Sequence, residues 1–129
     1  MILVNYTDEE VNGLPGPNIF IHDGSNSFES LSFEVQRLFE DDYKLIINEL
    51  DYVRIGERPI LVEFRSTRGA KDVFLDISKG TLLVNLDHRL WKDVLVWCMQ
   101  LARSSSSITI FFEFENIVLN ENCNIILEN

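Results

Sequence analysis

In DHRLWKDVLVWCMQLARSSSSITIFFEF, residues 87–114, the apolar period changes once. Leu90, Trp91, Val94, Leu95, Trp97, Cys98, Leu101 and Ala102 recur at three- and four-residue steps, which gathers them on one broad face of a helix. Such a face must cover something. Ile108, Ile110, Phe112 and Phe114 then alternate with Thr109, Phe111 and Glu113, the two-residue period of a half-buried strand. A helix followed by a strand places the core here, with Trp91 and Trp97 in it.

Upstream, three segments show the same alternation. Ile60, Val62 and Phe64 form one inward set, Val73, Leu75 and Ile77 a second, and Leu82, Val84 and Leu86 a third. They read as a meander of three antiparallel strands, the last two joined by Ser78-Lys79-Gly80, a hairpin with glycine at the left-handed position. Residues 66–71 form a longer polar tip. The stretch 43–54 fits a helix capped by Asp42, with Tyr43, Ile46, Leu50 and Val53 on one face. Leu45-Ile46-Ile47 also fits a strand, and the helix is the preferred reading.

Nearer the start, Phe28, Leu31, Val35, Leu38 and Phe39 share a helical face, and Ser27 suits its N-cap. Glu40, Asp41 and Asp42 would close that helix against its dipole. Residues 2–6 and 18–22 read as short strands separated by a stretch of prolines and glycines. Downstream of residue 114, Asn120, Asn122 and their neighbour Glu121 turn the chain, and residues 124–127 form a last strand. The expected architecture is a single α+β domain over residues 1–129, with a mostly antiparallel sheet and two or three helices packed against it.

A chain of 129 residues, 46% apolar, fills one core and not two. Its formal net charge of -10 opposes general affinity for nucleic acid or anionic membrane. The bases are partly segregated: residues 54–71 hold Arg54, Arg58, Arg65, Arg68 and Lys71 against Glu57 and Glu63, a local net of +3. No run approaches the ~20 apolar residues needed to cross a bilayer, and Met1-Ile2-Leu3-Val4 lacks the basic start of a signal peptide. The expectation is a soluble cytoplasmic protein. Cys98 and Cys123 have no paired-thiol spacing and read as reduced thiols.

Catalytic constellations are weak. His22, Asp23 and Ser25 are the residue types of a nucleophilic triad, but adjacency on a turn does not align them. His22 and His88 lack neighbouring ligands at metal-binding spacing, and no glycine-rich phosphate cradle occurs. No catalytic, metal or cofactor residue is assigned, and an enzyme is not expected. The charge pattern has more content. Glu29, Glu34, Glu40, Asp41, Asp42, Glu49 and Asp51 face only Arg37 and Lys44 over residues 29–51, and Glu113, Glu115, Glu121 and Glu128 follow the last base, Arg103. Such a run is either a solvated face or a surface that steers a basic partner into place.

In size, acidity and want of catalytic residues the chain resembles the bacterial immunity proteins, including those of contact-dependent inhibition systems. The resemblance implies a protein partner, a basic and possibly nuclease toxin domain, covered sterically and electrostatically. Glu40, Asp41, Asp42, Glu49 and Asp51 would then stand where substrate phosphates sit. The order of helix, three strands, helix and two strands is also similar to the small acidic type III secretion chaperones, which implies a dimer holding an effector segment. That family ends in a helix, which the sequence of residues 120–129 does not resemble.

Overall fold

In chain order the elements are β1 (Ile2–Thr7), β2 (Asn18–Asp23), α1 (Ser27–Gln36), a 3-10 turn (Arg37–Phe39), β3 (Lys44–Ile46), a second 3-10 turn (Ile47–Glu49), β4 (Val53–Ile55), β5 (Leu61–Ser66), β6 (Lys71–Asp76), β7 (Thr81–Leu86), α2 (His88–Arg103), β8 (Thr109–Asn116) and β9 (Glu121–Glu128). The structure is a computed structural model. It describes residues 1–7, 9, 10, 13, 18–23, 27–40, 42–56, 60–76, 78–104, 109–116 and 121–128, with the backbone alone at 55, 109–116 and 121–125.

The strands form as their alternation requires. Ile2, Val4 and Tyr6 of β1, Val62 and Phe64 of β5, Val73 and Leu75 of β6, and Leu82, Val84 and Leu86 of β7 are buried, while the residues between them are half-buried or exposed. Ile77, expected to continue the β6 set, lies outside the described residues. Among those residues the strands are hydrogen-bonded in the order β3-β5-β7-β6-β8-β9-β2-β1-β4. The pairs β1–β2, β3–β5, β6–β7 and β8–β9 are antiparallel, whereas β1–β4, β2–β9, β5–β7 and β6–β8 are parallel. The α+β class holds, and the antiparallel pairs include the longest ladder. The sheet is nevertheless mixed.

The expected meander is corrected in one respect. β7 lies between β5 and β6, parallel to the first and antiparallel to the second. The link after β5 arches over the end of β7: Thr67 N–H donates to Leu86 O (3.1 Å) and Asp87 N–H to Ala70 O (2.7 Å). Asp87 fastens this arch to α2, its carboxylate accepting from Arg89 N–H (2.9 Å) as the N-cap and from Gly69 N–H (2.7 Å). Those two bonds hold its carboxyl below the usual range. The 78–80 turn is as expected, with Gly80 at φ +65°.

Residues 43–54 are not a helix. They supply both edge strands of the sheet, β3 and β4, joined through the second 3-10 turn. A flat nine-stranded sheet would separate its edges by about 38 Å at ~4.8 Å per strand. Six residues, three of them in a 3-10 turn rising ~2 Å each, cannot span that. The sheet therefore curls, and the second 3-10 turn packs on both β4 and β5. Among the described residues one parallel bridge, Val73 to Asn116, joins its halves.

Helices α1 and α2 cover the buried face of this curl. Ile21, Leu31, Phe64, Trp91, Cys98 and Leu127, from both halves and both helices, meet around a void of about 10 Å³. Trp91 is 1% exposed, its Nε1–H donates to Arg65 O (2.9 Å), and its ring tilts on Phe64 with centroids 4.9 Å apart. Trp97, expected beside it, is only partly buried. Ser27 begins α1, and the buried carboxylate of Asp23 reaches in from β2 to accept Phe28 N–H (3.1 Å). Because α1 gives way to the first 3-10 turn at Arg37, Glu40 and Asp42 lie beyond the helix and do not oppose its dipole. Glu121 and Asn122, read as a turn, belong to β9 and pair with Asn116 and Glu115 of β8.

Cys98 is a free thiol whose burial pushes its pKa up to about 12. An unfolded thiol titrates near ~8.5, so its stabilisation is complete below that pH. From there to about pH 12 the unfolded state sheds a proton that the folded state keeps, which costs up to ~1.4 kcal/mol per pH unit. Urea unfolding between about pH 8 and about pH 10 is expected to fall less steeply for Cys98→Ala than for the parent. Equal slopes would contradict a buried neutral thiol.

Candidate functional site

The entry to β3 is built on a residue in an uncommon conformation. Asp42 has φ +64°, the one left-handed residue other than glycine among those described. Its N–H donates to Ser66 O (2.8 Å), and Ser66 N–H donates to Tyr43 O (2.9 Å). Two residues of the edge thus oppose one of β5, a bulge whose first position ordinarily belongs to glycine. Beyond β3, the Asn48 carboxamide continues the ladder in place of backbone. Its Oδ1 accepts from Val62 N–H (2.8 Å), and its Nδ2 donates to Ile60 O (3.0 Å).

These two devices fix where the expected acids stand. Glu40 and Asp42 precede β3, and Glu49 and Asp51 follow it. All four are exposed, and none forms an ion pair with a described residue. Asp41, the fifth, lies outside the described residues. Glu40 and Asp42 stand before the three-residue strand and Glu49 three residues past it, whereas Asp51 lies beyond the second 3-10 turn, two residues before β4. Lys44 stands exposed between them.

Beside this edge runs an open groove of about 470 Å³, with Tyr43, Leu45, Ile46 and Leu50 as its apolar residues and Glu34, Arg37, Lys44 and Glu49 as its charged ones. Of the four described carboxylates at the edge, Glu49 lines it. Arg37 donates to the Tyr43 hydroxyl at 3.4 Å and lies 3.6 Å from Glu34, contacts that raise its pKa, the hydrogen bond first and the charge of Glu34 second. Burial, and then the charge of Glu34, push the Tyr52 hydroxyl up to about 12. No described group hydrogen-bonds that hydroxyl.

Other sequence candidates separate. His22 and Asp23, adjacent on a strand, project to opposite faces, and Ser25 lies outside the described residues. Asp23 is 3.5 Å from the Met1 amino group. Arg65 is paired with Glu63 at 2.6 Å, which leaves Arg68 and Lys71 as the exposed bases of that arch. Among the described residues no three His, Cys, Asp or Glu side chains are placed to hold a metal ion. Among the described residues no helix is long and apolar enough to cross a membrane.

Sequence reasoning found the acids but missed Asp42's conformation and Asn48's clamp. An asparagine within the apolar run Leu45-Ile46-Ile47 to Leu50 was the available signal for the second. Comparison of the chain with protein-family models, curated proteins and solved structures finds no match.

Proposed function

We propose that this protein is a non-catalytic binding protein that lays its acidic β3 edge on a basic protein partner, in the manner of an immunity protein covering a toxin domain. What supports this reading is that Glu40, Asp42, Glu49 and Asp51 are exposed, fall within the one short segment that supplies β3 and its turn towards β4, and form no ion pair with a described residue, Lys44 being the exposed base among them. Carboxylates so placed raise the rate of encounter with a cation-rich surface and hold off polyanions competing for it. The protein acts in the cytoplasm, where it meets the partner before the partner reaches its target. Mixed with the product of a neighbouring toxin-like gene, it is expected to bind and to block that product's activity. Failure to bind would remove the reading.

Asp42 gives a sharper test. A left-handed L-residue costs about 1 kcal/mol, of which glycine's greater unfolded-state freedom returns a part. Asp42→Gly is therefore expected to leave stability unchanged or raise it by up to ~1 kcal/mol, read by urea unfolding, while weakening the partner complex. A variant that gains stability and binds as tightly as the parent would assign the carboxylate no part in docking.

A further inference from the structure

We propose that the outer face of α1 and α2 is an interface between two copies of this chain, related by a two-fold axis that runs along the helices. It rests on other residues than the acidic edge, although α1 contributes to both: Glu34, with Arg37 just past the helix end, lines the groove beside that edge, and Phe33 and Gln36 line the groove between the helices. Lys92, near the start of α2, sits over the ring of Phe39, just past the end of α1, at 5.6 Å from its centroid. The helices therefore run in opposite directions. Between them lies a groove of about 230 Å³ lined by both, with Phe33, Met99 and Ala102 as its apolar residues.

Two stripes border that groove. On α1, Glu29, Phe33 and Gln36 follow one another at four and three residues; on α2, Lys92, Val96, Met99 and Arg103 do so at four, three and four. Phe33 is 62% exposed and Val96 51%, two of the four large apolar side chains the described residues leave most open. At one end of the groove Glu29 and Arg103 both line it, yet neither forms an ion pair with a described residue.

A second copy answers both features at once. Rotation about an axis parallel to the helices lays the α1 stripe of one copy on the α2 stripe of the other, with the ends in register. Glu29 then faces Arg103 of the other copy, Phe33 covers Met99 and reaches Val96, and Gln36 lies level with Val96. The rotation makes each contact twice. An unrelated basic or acidic ligand would satisfy only one of the two free charges.

Sedimentation equilibrium of the full chain over a range of concentrations is the test. The expected result is association to twice the 15.0 kDa of one chain. Phe33→Glu, at an exposed site, is expected to weaken it by roughly 100-fold with helical circular dichroism and urea midpoint retained. Glu29→Arg or Arg103→Glu alone should weaken it about 10-fold, and the two together should return it to within about 3-fold of the parent, because the reversal re-creates the pair in opposite sense. A strictly monomeric protein, a dimer indifferent to Phe33→Glu, or a double reversal weaker than either single change would overturn the proposal. The acidic-edge reading would stand in each case.

Discussion

Trp91→Ala is expected to lower the unfolding free energy by about 3–5 kcal/mol, a large share of the ~5–15 kcal/mol available to a domain of this kind. Trp91 is where α2 is fixed to the sheet. It is 1% exposed, it stacks on Phe64 of β5, and it borders the small void where both helices meet both halves of the curl. Truncation would enlarge that void by most of an indole and take the indole N–H from Arg65 O. Trp91→Phe separates the two effects: the ring is largely kept and the hydrogen bond lost, for about 1–2 kcal/mol. Urea unfolding with a retained slope reads both. A cost below about 1 kcal/mol for the alanine variant would mean that α2 is not seated as described.

The second large effect is assigned to a polar residue. Asn48→Ala is expected to cost about 2–4 kcal/mol, because Ile60 O and Val62 N–H flank buried side chains and lose their partner together. Asn48→Asp keeps an acceptor for Val62 N–H but sets a carboxylate oxygen against Ile60 O, so it should not restore the parent. If instead the alanine variant unfolds within about 0.5 kcal/mol of the parent, the edge from β3 to β4 is held by burial of Leu45 and Ile47 alone.

The same residues explain how much of the fold could be read from sequence. Leu82, Val84 and Leu86, or Trp91, Val94, Cys98 and Leu101, announce strand and helix because each period is sustained over several residues and one face is buried throughout. Neighbour choice is another matter, since the alternation of β5 suits an antiparallel β6 and a parallel β7 equally. The bonds of Thr67 and Asp87 across the end of β7 settle it, and no local pattern encodes them. In residues 43–54 a short apolar run matched two periods. Asn48's clamp and Asp42's bulge, both tertiary, turned it into edge strands. The acids of the candidate site were visible as a run of like charge, but their division between the two ends of β3 was not.

The measurement that bears most directly on the docking surface is a calorimetric titration of the neighbouring toxin-like gene's product with the parent and with the four-fold variant Glu40→Gln, Asp42→Asn, Glu49→Gln, Asp51→Asn. It is made at about 0.05 and about 0.5 M salt, across which screening shortens from ~14 to ~4 Å. The parent is expected to bind at least about 10-fold more tightly at the lower salt, and the neutralised variant to lose most of that dependence together with at least about 10-fold in affinity. Equal affinity of parent and variant at both salts would contradict an acidic docking edge.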